Sequence, residues 1–368
     1  MVQARERVTL KVGKRLYNGW KTIRITAGVE RAARDFEIGL SERWAEGSPP
    51  KIVGWSIAEG SACQVLIGGV VVLTGWIDTV ARSISDSDHS ISVSGRSKTG
   101  DLVDCAAIIP NSQMLSGTLP GIASRLAAPF GLSVSGGGGD AFPDFTVQQG
   151  ETVYEIIERL SRVRGFLVCD DEGGNLVLAS AGGGGRAGSI RDGKDANVKS
   201  AATIRSLADR FSTYTIKFQD GQWGDVAGGA AIGVLATIKD EAVTRYRPKV
   251  ILAETGQGGT DLAVKRGKWE CARRAGRGTQ VRVTMRGWRD DGGALWGPNA
   301  IASVSLGGLE VSGALLIAEV SYQMDEGGGT RCELTLGPVA AYQPEPATMG
   351  GNKWTDVRAE IAETKQVR

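Results

Sequence analysis

The chain carries a single histidine, His89, set in the polar run Ser85-Asp86-Ser87-Asp88-His89-Ser90. One imidazole excludes a HExxH zinc site, a two-histidine metal centre and a Cys/His finger, all of which need more. A Ser-His-Asp triad would have to use His89, and no G-x-S-x-G elbow accompanies it. Its polar neighbours read as a solvated loop, so His89 is expected to be an exposed loop residue. The five cysteines, Cys63, Cys105, Cys169, Cys271 and Cys332, are scattered and form no C-x-x-C pair. Four have apolar neighbours, and buried free thiols made in a reducing cytoplasm are the simplest account. No catalytic residue, metal or cofactor is expected from this set.

Gly188-Ser189-Ile190-Arg191-Asp192-Gly193-Lys194-Asp195 matches the phosphate-cradling pattern G-x-x-x-x-G-K up to its last position. There Asp195 replaces the hydroxyl residue that would hold Mg²⁺, and its carboxylate would repel phosphate. Poly-glycine precedes the match where a buried strand is required, so nucleotide binding is rejected. Asp170-Asp171-Glu172 lacks the alternating oxygen spacing of a calcium loop and reads as an acidic hairpin tip. Nine tryptophans, among them Trp20, Trp44, Trp76, Trp269, Trp288, Trp296 and Trp354, are spread along the chain without interleaved basic clusters. They are expected to pack, not to stack on bases or sugars. The run from Phe145 to Ile156 resembles the opening of a LysM module, a small peptidoglycan-binding fold. The shared content is a strand, a glycine turn and a capped helix. The chain then continues into a hairpin instead of a second helix, so packing is expected in place of sugar binding.

The elements that would position these residues are mostly strands. Of 368 residues, 53 are glycine, about twice the roughly 7% average, as the many turns of a β architecture require. Lys and Arg number 43 against 41 Asp and Glu, a formal net charge of +2, which argues against holding nucleic acid by phosphate neutralisation. The amino terminus has no apolar core behind its charges, and the longest aliphatic run, Val70 to Leu73, is far short of the ~20 residues of a membrane span. A soluble, cytoplasmically made protein without stable membrane association is expected.

Residues 1–98 alternate apolar and polar, as at Val8, Leu10 and Val12, and turn at Gly68-Gly69, which predicts an antiparallel barrel or sandwich. Residues 99–192 read as α+β. Thr118 caps a short helix containing Pro120, and Thr152 with Glu155 forms a capping box. Val153, Ile156, Ile157 and Leu160 give that second helix its buried stripe, Gly165 ends it, and Phe166 to Leu178 folds as a hairpin. Residues 193–343 form a second strand-rich module containing a helix from Thr260 to about Ala275, stopped by Gly276, which is expected to pack on the middle domain. No sequence repeat relates the two modules. Residues 344–368 are a proline-containing linker and a helix-prone tail.

The run Gly95-Arg96-Ser97-Lys98-Thr99-Gly100-Asp101-Leu102-Val103-Asp104-Cys105 resembles the hallmark of baseplate hub proteins from Mu-type contractile-tailed phages, within the wider late control D group. Five further stretches agree in order. These are Leu73-Thr74-Gly75-Trp76-Ile77-Asp78, Gly150-Glu151-Thr152, Arg210-Phe211-Ser212-Thr213-Tyr214, Arg245-Tyr246-Arg247-Pro248 and Trp296-Gly297-Pro298-Asn299. The resemblance spans residues 8 to 343 and implies a structural protein of the virion tail baseplate, assembled in the host cytoplasm. It implies two tail-tube-like antiparallel β-barrels flanking a small α+β domain. It further implies a homotrimeric ring that joins the six-fold tail tube protein to the three-fold central spike protein, beside other baseplate proteins. DNA would pass through the ring without specific binding. The hallmark residues, Gly95, Arg96, Ser97, Thr99, Asp101, Leu102, Asp104, Trp296, Pro298 and Asn299, are then structural. On the residues alone, Gly95 turns the chain, and Leu102, Val103 and Cys105 anchor the crossing into the next domain. Two other readings stay open: a wall-binding or wall-degrading tail protein, and a type VI secretion-like spike hub, which normally carries its spike in the same longer chain.

Overall fold

The computed structural model describes residues 6–43, 57–85, 88–109, 114–219, 232–253 and 259–346. Trp44, Trp354 and the tail beyond 346 lie outside the described residues. The first β region comprises β1 (Val8–Val12), β2 (Arg15–Tyr17), β3 (Thr22–Gly28), β4 (Asp35–Arg43), β5 (Ala62–Ile67), β6 (Val70–Ile84) and β7 (Asp88–Ser97). The middle region follows with α1 (Gly100–Asp104), β8 (Met114–Gly117), α2 (Leu119–Ala127), β9 (Val134–Gly136), β10 (Phe142–Thr146), α3 (Val153–Arg164), β11 (Leu167–Asp170) and β12 (Leu176–Ala179). The remainder is β13 (Arg186–Arg191), β14 (Val198–Arg205), β15 (Thr213–Gln219), β16 (Ile232–Lys239), β17 (Pro248–Ala253), α4 (Gly259–Arg277), β18 (Thr279–Met285), β19 (Ile301–Leu306), β20 (Val311–Asp325) and β21 (Gly329–Gly337).

The alternation read from the sequence does place Val8, Leu10, Val65 and Ile67 inside, and Gly68-Gly69 links β5 to β6. His89 does not lie in a loop, however. Strand β6 continues to Ile84 and β7 begins at Asp88, so His89 is a half-buried strand residue in register with Glu42 and Ile84. Serines and aspartates are accepted here because the two strands pair at the far, exposed end of a long ladder.

The expectation of two closed barrels is corrected. The two modules form one 13-stranded sheet in the order β14-β18-β21-β20-β3-β4-β7-β6-β5-β1-β2, with β19 and β13 branching from β20. No closed barrel is present among the described residues. Closing the first sheet would require β3 to pair back towards β1, but that edge is taken by β20. Their antiparallel register runs from Gly28 with Glu319 to Ile23 with Met324. The inner faces accordingly share one core, in which Ile25, Phe36 and Ile38 join Val283, Trp288 and Val320.

A repeat invisible in the sequence is plain in the topology. The first sheet runs β1-β5-β6-β7-β4-β3 and the second runs β13-β19-β20-β21-β18-β14, with corresponding strands in the same chain order. The counterparts β6 and β20 are both 15 residues long, and their registers shift just after Ile77 and Ile317 respectively. Even single hydrogen bonds recur. The amide of Gly60 donates to Ile77 O and that of Asn299 to Ile317 O, from left-handed backbones at φ 74° and 66°. The units differ at one strand: β1 is antiparallel to β5, whereas β13 is parallel to β19.

In the middle region, Thr118 caps α2 and the Thr152–Glu155 capping box opens α3. The stripe Val153, Ile156, Ile157 and Leu160 lies buried against Leu119, Ile122 and Leu176. Residues 213–277 add a small α/β unit, with β16-β15-β17 under α4. Helix α4 begins at Gly259, so Thr260 is inside it, and Gly276 does not stop it. That glycine is there for contact: a Cβ would lie 2.5 Å from Cβ of Ala341. The helix ends at Arg277. It packs on β15, β16 and the 339–341 turn, while its Trp269 and Arg273 line a cleft facing Tyr154 and Arg162 of α3. Among the described residues, no helix is long and apolar enough to cross a membrane.

All five cysteines are free, but Cys105 is exposed, contrary to the sequence expectation. Burial pushes the Cys63 and Cys169 thiols up to about 12, and that of Cys332 well above its usual value. A thiol reagent should therefore label Cys105 first in the native protein, leave Cys63 and Cys332 unlabelled, and find five groups after denaturation without reductant. Ile156→Ala, a truncation in the middle core, should cost about 2–5 kcal/mol in denaturant unfolding.

Candidate functional site

The hallmark run builds a joint between the first sheet and the middle domain. It begins inside β7, so Gly95 does not turn the chain. A Cβ there would sit 2.0 Å from Trp76 O on β6, and the residue must be glycine for the strands to approach. Arg96 donates from Nε to Asp78 (3.0 Å) and from both Nη atoms to the Asp104 carboxylate (3.2 and 2.6 Å). Those bonds, first to Asp104 and then to Asp78, raise the Arg96 pKa, and Arg96 holds Asp104 below the usual carboxylate range. Burial, by contrast, raises Asp101. Ser97 and Thr99 are buried and share a hydrogen bond of 2.8 Å. Leu102 carries the crossing into the middle core, whereas the Val103 and Cys105 side chains point outward and Cys105 is tied in through its carbonyl, which accepts from Val153 N (3.2 Å).

At the centre of this joint is a residue that sequence reading passed over, Arg34. Its side chain is 8% exposed and its partner Asp170 is 3% exposed. Arg34 donates from Nε to Asp170 Oδ1 (3.1 Å), from its amide to Asp170 Oδ2 (3.0 Å) and from Nη2 to Asp170 O (3.2 Å). Its Nη1 reaches Glu172 Oε1 (2.9 Å) and Val72 O (3.0 Å), and its amide also donates to Ser97 Oγ (3.1 Å). Burial pushes Asp170 above its usual range, opposed mainly by the Arg34 charge. For Arg34 the loss of solvation is outweighed by Asp170 and Glu172, and its pKa rises. The acidic tip of the β11–β12 hairpin is therefore a plug for the first sheet. The only sequence signal was an acidic tip and a lone arginine, more than a hundred residues apart.

The other end of that hairpin meets the second module. Asn299 is left-handed at φ 66° and donates from Nδ2 to Ser180 O (3.0 Å). Its Oδ1 accepts from Gly182 N (2.7 Å), and its carbonyl from Gly184 N (3.0 Å). Trp296 is buried nearby in the sheet core, its carbonyl accepting from the Tyr322 hydroxyl, and Pro298 lies half-buried between them. The structure thus does not gather the hallmark residues in one place. Gly95 to Asp104 serve the first joint, and Trp296 to Asn299 serve the second. The runs around Arg210 and Arg247 meet at a third place, the base of the small α/β unit, where Ser212 and Arg247 exchange backbone and side-chain bonds.

Chemically these are fastenings. The phosphate-loop look-alike is strand β13 followed by Asp192, whose carboxylate accepts from the amides of Gly307 and Gly308. The carboxylates around the LysM-like helix are also engaged. Glu155 caps Thr152, Glu151 binds Arg159, and Glu158 binds Arg162. No cluster of His, Cys, Asp and Glu suited to a metal occurs among the described residues.

Residues 7–97 match the N-terminal domain of Mu phage baseplate assembly protein GpP-like chains, 99–180 the second domain of baseplate hub protein gp44-like chains, and 259–345 the fourth domain of Mu phage baseplate assembly protein GpP. Baseplate hub protein gp44 of Escherichia phage Mu is 32% identical over 344 residues, covering 90% of this chain and 87% of the relative. The chain belongs to the Mu-type baseplate hub family. As a member it is a component of the phage tail baseplate. A 43 kDa tail protein from prophage MuSo2 of Shewanella oneidensis superposes with a TM-score of 0.80 at 32% identity, over 93% of this chain and 100% of that one. A tail protein from Neisseria meningitidis MC58 gives a TM-score of 0.72 at 21% identity, over 92% and 98% of the two chains. The fold extends to an E. coli type VI secretion component, c3393, with a TM-score of 0.53 at 12% identity over 89% and 76%. In this family member, the first two matched blocks meet at the first joint, between Ser97 and Thr99, and the second block ends at Ser180, which bonds Asn299 at the other joint.

The buried pair supplies the test. Arg34→Met strands the Asp170 carboxylate, and unfolding should show a loss of about 3–5 kcal/mol. Combining it with Asp170→Leu should recover much of that loss, whereas a loss equal to the sum of the single variants would mean the two do not interact. Arg96→Ala, at an exposed pair, should cost no more than about 1 kcal/mol.

Proposed function

We propose that this hub protein works as a homotrimeric ring that joins the tail tube to the central spike and leaves a central channel for DNA. The observation that carries the reading is the internal repeat, two units of equal sheet order joined in one chain by the β3–β20 pairing. A tube of six-fold rings and a three-fold spike cannot both meet equivalent copies of a one-unit chain. Three chains of two units offer six similar faces above and three identical ones below. The formal net charge of +2 suits a conduit, since a strongly basic lumen would retain the passing DNA. Its partners are then the tube protein, the spike protein and neighbouring baseplate proteins, assembled in the host cytoplasm, and the chain itself does no catalysis. Wall binding is disfavoured because the apolar face of α3 is spent on the middle core.

The solution mass of the full chain, with the spike protein added, tests this reading. The expected species contains three copies of the 38.7 kDa chain and appears as a three-fold ring in electron micrographs. A two-fold or six-fold assembly would contradict it. Retention on purified peptidoglycan above a control protein would favour the wall-binding alternative.

A further inference from the structure

The small α/β unit has one covered face and one open face. Its strands run β16-β15-β17, and α4 covers Ile216, Ile238 and Ile251. The alternate residues form three cross-strand rows on the other face: Lys239–Thr213–Pro248, Thr237–Thr215–Val250 and Lys217–Leu252. Val250 is 54% exposed there and Leu252 62% exposed. Strands β15 and β17 are parallel, and parallel strands are normally covered on both faces. The charges of the open face, Lys217 and Lys239, are both positive, and neither has an ion-pair partner among the described residues. Glu241 and Arg245, exposed just outside the strands, offset one another.

We propose that residues 354–363 of the same chain dock on this open face as an amphipathic helix. Their sequence matches both features of the face. Trp354, Val357 and Ile361 recur at i, i+3 and i+7, the spacing of an apolar helical stripe that would cover Val250 and Leu252. Asp356, Glu360 and Glu363 recur at i, i+4 and i+7, which puts them in one row along a flank of that stripe. The lengths also agree. Thr213, the partner of Lys239, lies four residues before Lys217, about 13 Å along the strand. Asp356 and Glu363 are seven residues apart, about 10 Å along a helix. Two long lysine side chains close that difference.

The course of the described chain brings its end towards this face. Helix α4 runs antiparallel to β17, with Ala263 and Val264 packed near Ile251 and Arg274 lying 5.4 Å from the Phe211 ring. After Tyr342 the chain runs back along α4. Trp269 Nε1 donates to Gln343 O (2.8 Å), and one helical turn earlier Arg266 pairs with Glu345 (2.8 Å). This direction leads to the amino-terminal end of α4, the end of the sheet where Leu252 and Lys217 lie. Residues 347–353 reach up to about 25 Å when extended. That is about twice the width of the helix layer they must round.

Hydrogen exchange of the full chain, read by mass spectrometry, tests the docking. In the wild type, the amides of residues 356–363 should exchange at least tenfold more slowly than in the free peptide 347–368, at a rate independent of protein concentration. Val250→Asp, and separately Lys217→Glu with Lys239→Glu, should each return them to the free-peptide rate while native circular dichroism is kept. Adding Asp356→Lys, Glu360→Lys and Glu363→Lys to the double lysine variant should restore slow exchange, which damage to the fold would not allow. Free exchange in the wild type, or slow exchange indifferent to the face variants, would overturn the proposal. Slow exchange that develops only as the protein concentration rises would give the face to a second copy and overturn docking within one chain.

Discussion

Six residue pairs between β3 and β20 hold the architecture together. Glu319 to Met324 lie against Gly28 to Ile23, almost three hundred residues away along the chain. Their inner side chains, Ile23, Ile25, Val320 and Tyr322, belong to one core that neither module would complete alone. On the opposite face, Arg31 bonds Glu319 at 2.8 Å and the buried Thr26 and Ser321 hydroxyls lie 3.5 Å apart, so the seam is apolar on one face and polar on the other. Because the pleat has a period of two, a one-residue slip would turn Ile23 and Ile25 out of the core. The relative position of the two units is therefore set by register, not by a linker.

The middle domain braces that seam. Its β11–β12 hairpin touches the first unit at the turn end, through Asp170 and Arg34, and the second unit at the open end, through Ser180 and Asn299. Between them Leu167 packs on Val29, Leu316 and Tyr342, directly beside the seam. A buried ion pair gains little over an apolar pair in net stability, but it tolerates displacement poorly once desolvated. A brace made this way resists rotation of one unit against the other.

What the sequence showed was local. The capping box at Thr152, the hairpin after Phe166 and the alternation of Val8 and Leu10 are short-range patterns, and each lies where its pattern placed it. The β3–β20 seam left no such trace, since strands pair through backbone groups that every residue carries. The repeat stayed hidden for a related reason. Gly60 and Asn299 share a conformation and a hydrogen bond without sharing an identity. Arg34 carried no signal in the sequence because its partner is supplied by another domain. His89 and Cys105 went the other way: residue type suggested a loop and a core, and strand length and chain crossing decided otherwise. Several of the motifs that carry the family resemblance lie at the joints, Gly95 to Asp104 at the first and Trp296 to Asn299 at the second.

Native-state hydrogen exchange tests the central claim, that β3 and β20 fuse the two units into one body. The amides bridging β3 and β20 should exchange only through global unfolding, with the same free energy as the interior strands β4 and β21 of the two units. Exchange of the β3 and β20 amides at a much lower free energy, with β4 and β21 still protected, would mean that the units separate while folded, and would contradict the account.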